Sequence, residues 1–105
     1  MKTKATIMKK NYLLNAFSLQ MLEGDATVRF TEVSREQVFS TGHLVSAIGH
    51  ADTARVLGVE MNRISVTLKK GDVAFVAQLM GGRLPEGSTT LPEGFTFKFI
   101  KVEVL

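Results

Sequence analysis

The apolar residues of this chain come in short stretches, and three of these stretches alternate apolar with polar residues. A period of two places successive side chains on opposite faces of a strand, so each stretch predicts a strand with one buried face. Several such strands form a sheet, and the apolar face of that sheet must be covered by other parts of the domain. This excludes a purely helical fold. The apolar sets are Val28 and Phe30 in residues 26–33, Ile64, Val66 and Leu68 in residues 63–68, and Phe97, Phe99, Val102 and Val104 in residues 95–105.

The intervening segments predict one more buried strand and several short helices. Residues 12–17 form an apolar run typical of a first strand, and Ser18 is placed to cap one or two helical turns after it. Ser34 and Gln37 have the spacing of a capping box. Leu44, Val45 and Ile48 have helical spacing, and Asp52 is expected to cap a further helix that stops at Gly58.

A turn and a long loop complete the predicted order of elements. Residues 69–72 predict a tight turn, so residues 63–68 and 73–80 are expected to pair as an antiparallel hairpin. Residues 81–94 contain both prolines and four glycines and are expected to form a loop. The predicted fold is therefore α/β, a single domain with a mixed sheet of about five strands flanked by short helices.

Composition narrows the class of protein. The chain has 105 residues and a formal net charge of +3, and four lysines without any acid lie in residues 1–10. We predict a basic N-terminal extension at 1–10 and a single domain at 11–105. Because that domain is nearly neutral, we expect that it does not bind duplex nucleic acid. The chain has no cysteine, which excludes a disulfide framework. No apolar stretch is long enough to span a membrane or resembles a secretory signal, so a cytoplasmic protein is expected.

The two histidines are the first candidates for chemistry. His43 lies among polar residues and is interpreted as a surface residue. His50 follows Gly49 at a break between two predicted helical pieces, where free backbone N–H groups favour an anion. Pattern alone leaves two alternatives for His50, a reactive imidazole or a capping residue.

Charged residues elsewhere give weaker indications. Arg83 and Glu86 lie three residues apart in the loop, a spacing that also suits a solvated surface pair, and Arg63 begins a predicted strand. Two separated histidines without an acidic cluster make a poor ligand set, so no metal is expected. The sequence contains neither of the common glycine-rich nucleotide-binding motifs, and no cofactor is expected.

Five segments of the chain form a recognisable series: residues 12–22, the Ser46-Ala-Ile-Gly-His50 motif with the following Ala-Asp-Thr, Asn62-Arg63, Gln78, and Arg83-Leu-Pro-Glu-Gly87. Together they resemble the viral type III anti-CRISPR ring nucleases and their cellular relatives. These stretches occur in the family's order and span nearly the whole chain. This chain departs from the pattern at Gly81-Gly82, one residue more than the relatives carry before the arginine.

The resemblance implies a two-fold homodimer that degrades cyclic tetra-adenylate, the second messenger of type III CRISPR complexes, without a metal. It implies His50 as the general acid for the leaving ribose oxygen, with Arg83 and Glu86 as the other catalytic residues. Glu86 would either orient Arg83 or contact a ribose hydroxyl. The residues expected to bind the substrate are Asn15, Ser18, Gly49, Arg63 and Gln78.

Two other functions remain open at this point. A non-catalytic module would bind the cyclic oligoadenylate in the same pocket and sequester it. A DNA-associated protein would use the lysines of residues 1–10, and its binding would weaken steeply with salt.

Overall fold

The computed structural model describes residues 11–42 and 44–105; the predicted extension at 1–10 and His43 lie outside the described residues. The strands are β1 (Asn11–Leu14), β2 (Val28–Val33), β3 (Leu44–Ala47), β4 (Val73–Met80) and β5 (Thr96–Val104). The helices are a 3-10 helix (Leu19–Met21), α1 (Arg35–Phe39) and α2 (Ala51–Leu57).

The strands form one mixed sheet in the order β2-β5-β4-β1-β3. Strand β1 lies in parallel between β3 and β4, whereas β5 is antiparallel to both of its neighbours. The predicted α/β fold with a five-stranded mixed sheet and short helices is confirmed. The parallel trio matters for function, because β1, β3 and β4 all end at the same edge of the sheet.

The two faces of the sheet are covered by different kinds of structure. On one face, Val38 of α1 and Ala54 and Leu57 of α2 pack in a buried cluster with Leu13 and Phe75 of the sheet. The other face is covered mainly by irregular chain. The side chains of that second cluster that come from outside the strands include Phe17, Met21, Leu22, Ala26, Val66 and Leu68.

The strand predicted at residues 63–68 is wrong. Val66 and Leu68 are buried as the alternation required, but the segment lies against a face of the sheet instead of within it. Its ladder contact is a single bridge between Leu68 and Leu22. Residues 69–72 do form a turn, in which the Asp72 N–H donates to the Lys69 carbonyl at 2.9 Å. The predicted hairpin is therefore also wrong, and β4 pairs with β1 and β5.

Two predictions around the middle of the chain are also wrong. Residues 44–47 form β3 and not a helix, because pairing with β1 decides the conformation of an apolar run too short to show its period. Helix α2 is capped by His50 and not by Asp52, which lies in its first turn.

Other local predictions are confirmed. Ser34 and Gln37 form a capping box at α1, and Ser18 caps the 3-10 helix. Residues 81–95 contain no helix or strand. Among the described residues, the helices are all too short to cross a membrane.

Candidate functional site

Polar side chains gather where the three parallel strands end. Asn15 directly follows β1, His50 lies three residues after β3, and Arg83 lies three residues after β4. All three line one cavity of about 240 Å³, together with Thr53, Ala77, Leu79 and Leu84. The carboxyl ends of parallel strands are the usual place for a ligand in an open α/β sheet. The topology thus brings together residues that are 35 and 33 positions apart in the sequence.

His50 is the N-cap of α2, with an extended backbone at φ −116° and ψ 122°. Its Nδ1 accepts the Thr53 backbone N–H at 3.4 Å and lies 3.3 Å from Thr53 Oγ1. The side chain is exposed, and within the described part of the chain no hydrogen bond involves Nε2. Capping and reactivity are therefore compatible, because capping occupies one ring nitrogen and leaves the other for a ligand.

The Thr53 contacts define how His50 handles a proton. A backbone N–H can only donate, so in the neutral ring Nδ1 is the acceptor and the proton lies on Nε2. When the ring is protonated, Nδ1 becomes a donor and Thr53 Oγ1 is the acceptor within reach. Only the protonated ring can act as an acid, so proton transfer from Nε2 starts from the form in which Nδ1 donates to Thr53 Oγ1 and leaves the remaining proton on Nδ1.

We expect the neutral form of His50 to be the Nε2–H tautomer, since Nδ1 receives the Thr53 N–H. Imidazole nitrogen chemical shifts in a nitrogen-15 NMR spectrum of the protein with neutral histidines measure this directly. A His43→Gln variant assigns the signals, because the chain has two histidines. A proton found on Nδ1 of His50 would contradict the capping geometry.

Arg63 lies across the backbone immediately before His50. Its Nε donates to the Gly49 carbonyl at 2.9 Å. A Cβ on Gly49 would lie 3.3 Å from Arg63 Cγ, so the glycine gives the arginine room to lie close. This contact holds the Arg63 guanidinium at the residue before His50, although Arg63 does not line the 240 Å³ cavity.

The loop after β4 begins at two positions, 81 and 82, whose backbone conformation favours glycine. Gly81 and Gly82 have φ of 113° and 132°, and a Cβ on Gly81 would lie 2.8 Å from the Gly94 carbonyl oxygen. Leu84 is buried and anchors the next part of the loop. This geometry carries Arg83 to the cavity.

Glu86 occupies the tip of a turn at residues 85–88. The Ser88 N–H donates to the Pro85 carbonyl at 3.2 Å, and Gly87 has φ of 83°, as the third position of a type II turn requires. Glu86 is exposed and does not line the cavity with His50 and Arg83. Its predicted catalytic role stays a prediction.

The remaining predicted substrate residues lie on other surfaces. Gln78 lines a separate cavity of about 300 Å³ with Phe17 and Phe30, and Asn15 is common to both cavities. Gln78 points to the face of β4 opposite Ala77 and Leu79. Ser18 uses its hydroxyl to accept the Gln20 N–H at 3.2 Å. Within one chain, the structure therefore places Asn15, His50 and Arg83 together, with Arg63 alongside, and keeps Ser18, Gln78 and Glu86 out of that cavity.

Electrostatics favour an anion beside His50. The ion pairs of the described residues join Arg29 and Lys101 to Glu103, and Arg55 to Asp52. Arg63 and Arg83 are exposed and take part in none of these pairs. Arg83 lines the cavity with His50 and Arg63 donates to the Gly49 carbonyl, and two guanidinium groups outside the ion pairs of the described residues suit a phosphate.

A larger cavity, about 420 Å³, lies beside edge strand β3. Its polar groups already bind one another, since Ser46 donates to the Glu60 carbonyl and Asn62 Nδ2 donates to the Ser46 carbonyl at 3.0 Å. These hydrogen bonds join β3 to the segment after α2, which is a structural role. Over residues 11–42 and 44–105, no group of three or more His, Cys, Asp or Glu side chains is placed to hold a metal ion.

Sequence reasoning missed Thr53 and Leu84, which also line the cavity. Thr53 lies three residues after His50, the spacing at which an N-cap side chain meets the backbone, so recognising His50 as the cap would have found it. Leu84 gave no signal, because an isolated leucine in a loop does not show whether it is buried.

Comparisons with known proteins show which family the fold belongs to. The chain is similar in structure to B116 of Sulfolobus turreted icosahedral virus, with a TM-score of 0.72 and 26% sequence identity over 90% of this chain and 98% of that one. No curated protein sequence matches the chain. The sequence profile described as STIV B116-like matches residues 11–99, and the chain therefore belongs to the STIV B116-like family.

Proposed function

We propose that this protein is a ring nuclease that opens cyclic tetra-adenylate into linear di-adenylate without a metal, and so switches off type III CRISPR signalling. One observation carries the proposal: His50 and Arg83 line the same cavity, with His50 Nε2 and the Arg83 guanidinium both available to a ligand. An imidazole and a guanidinium meeting at a cavity suit an RNA phosphodiester better than a neutral substrate.

The chemistry needs only groups that the chain and the substrate supply. The ribose 2′-oxygen attacks the adjacent phosphorus in line and loses its proton to solvent, while the bond from phosphorus to the 5′-oxygen breaks. His50 Nε2 gives its proton to that leaving 5′-oxygen, and the new end carries a 2′,3′-cyclic phosphate. Arg83 stabilises the negative charge that builds on the phosphate oxygens.

The size of the site favours a two-fold dimer. A cavity of about 240 Å³ is smaller than the roughly 300–1,000 Å³ of pockets that enclose drug-sized ligands, so one chain cannot enclose four nucleotides. Two chains around a two-fold axis would supply two copies of His50 to opposite phosphates of the ring, and two cuts give two di-adenylates. A cytoplasmic location follows from the substrate.

The test is to incubate the purified protein with cyclic tetra-adenylate in EDTA and to separate the products by chromatography with mass detection. We expect linear di-adenylates that carry a 2′,3′-cyclic phosphate, because no water attacks the phosphorus. An intact ring at every protein concentration would refute the enzyme. Tight binding of an uncut ring would favour the sequestering module, because the cavity together with Arg63 and Arg83 could bind the ring without cutting it.

A further inference from the structure

Asp52 links helix α2 to the loop after β4. Its Oδ1 accepts hydrogen bonds from Arg55 Nη1 at 2.7 Å and from the Gly87 backbone N–H at 3.2 Å. Arg55 Nη1 also donates to the Ser88 carbonyl at 3.0 Å. The two side chains thus hold one end of a turn that lies 33 to 35 residues away in the sequence.

The Asp52 side of the link is largely shielded from solvent, and the Arg55 side is more exposed. The Asp52 side chain is 16% exposed and that of Arg55 is 45% exposed. Partial burial strengthens a charge-assisted hydrogen bond. The Asp52 carboxylate accepts the Gly87 N–H, which would otherwise bind water. In the described chain, these are the side-chain hydrogen bonds that join α2 to the loop.

The position of the link determines what it controls. His50 caps the first turn of α2, which also carries Asp52. Arg83 lies just before the anchored residues, between the two glycines at the end of β4 and the turn at 85–88. Glycines allow many backbone conformations, so the direction in which Arg83 leaves the strand depends on what holds the loop after it, which is buried Leu84 and the turn at 85–88.

We propose that Asp52 and Arg55 are positioning residues that fasten the loop at residues 83–88 to α2 and thereby set Arg83 against His50. The inference rests on the proposed function, because the pair matters for chemistry only if Arg83 acts on the substrate of His50. Neither residue touches the substrate in this account; both act through the place of Arg83.

Asp52→Ala is expected to raise the rate of exchange of the Gly87 amide with water, measured by water-exchange NMR on ligand-free protein, by about tenfold. Asp52→Asn, which keeps an acceptor oxygen, should change it less. Glu36→Ala is the control, since Glu36 is the acid in the first turn of α1 and is exposed. An unchanged Gly87 exchange rate in Asp52→Ala would overturn the link itself, whatever the activity of the protein.

Cleavage of cyclic tetra-adenylate tests the route through Arg83. Asp52→Ala should lower kcat by roughly ten- to a hundredfold, because misplacing a catalytic group by about 1 Å has effects of that order. In an Arg83→Ala background the same change should cost almost nothing further. Equal losses in both backgrounds would overturn the positioning role, whereas absence of cleavage by the unaltered protein would refute the proposed function and leave the Gly87 result as the test of the link.

Discussion

His50→Ala is expected to slow the opening of cyclic tetra-adenylate about 10²–10⁴-fold, the usual contribution of a general acid. The 5′-oxygen leaves poorly as an alkoxide, and of the described residues that line the cavity with Arg83, His50 is the one whose side chain commonly serves as a general acid. Binding of the ring should change little, since Arg63 and Arg83 remain. Single-turnover cleavage and equilibrium binding, measured on the same samples, separate the two effects.

The capping role of His50 requires a matched variant. Alanine also removes the N-cap of α2, which costs about 0.5–2 kcal/mol of stability. Asparagine is among the best N-cap residues and cannot donate a proton as an acid, so His50→Asn should fold at least as stably as the original chain and still cleave about 10²–10⁴-fold more slowly. Wild-type cleavage by His50→Asn would show that His50 serves only as a cap.

Arg83→Ala is expected to lower cleavage about 10²–10³-fold, as the loss of a donor to a developing oxyanion does. Binding should also weaken, because the guanidinium bonds the phosphate before the reaction begins. Arg83→Lys should recover part of the activity, since lysine restores the charge without the planar fork of donors. Steady-state kinetics with each variant give kcat and KM separately.

A matched control for Arg83 is Arg29→Ala. Arg29 is exposed on β2, at the opposite edge of the sheet from β3, and its ion pair with Glu103 is a surface contact worth at most about 1 kcal/mol. It should leave cleavage unchanged. If Arg83→Ala behaved like Arg29→Ala, the cavity at the strand ends would not be the site of the reaction.

Much of the fold follows from local pattern, and its main error has a clear physical cause. Alternation reports which side chains are buried, and residues 63–68 bury Val66 and Leu68 as predicted. It does not report where the backbone hydrogen bonds go, and here the segment packs on a sheet face instead of joining the ladder. The five-stranded sheet was still reached, because β3 took the place of the missing strand.

The site was partly visible in the sequence and partly created by topology. The order of β1, β3 and β4 in the sheet brings Asn15, His50 and Arg83 to one cavity, and no local pattern contains that order. The resemblance supplied the residues without their arrangement. The sequence predicts Asp52 as a cap, whereas its carboxylate reaches the loop; the three-residue spacing from Arg55 does indicate that the two can pair.

The most direct test of His50 as the proton donor uses a cyclic tetra-adenylate in which sulfur replaces the leaving 5′-oxygens. A thiolate leaves without protonation, so the need for an acid disappears while the attack by the 2′-oxygen is retained. We expect His50→Asn to open the sulfur-containing ring at nearly the rate of the unaltered protein, while it opens the natural ring about 10²–10⁴-fold more slowly. An equal deficit on both rings would contradict the account, because His50 would then contribute something other than the proton.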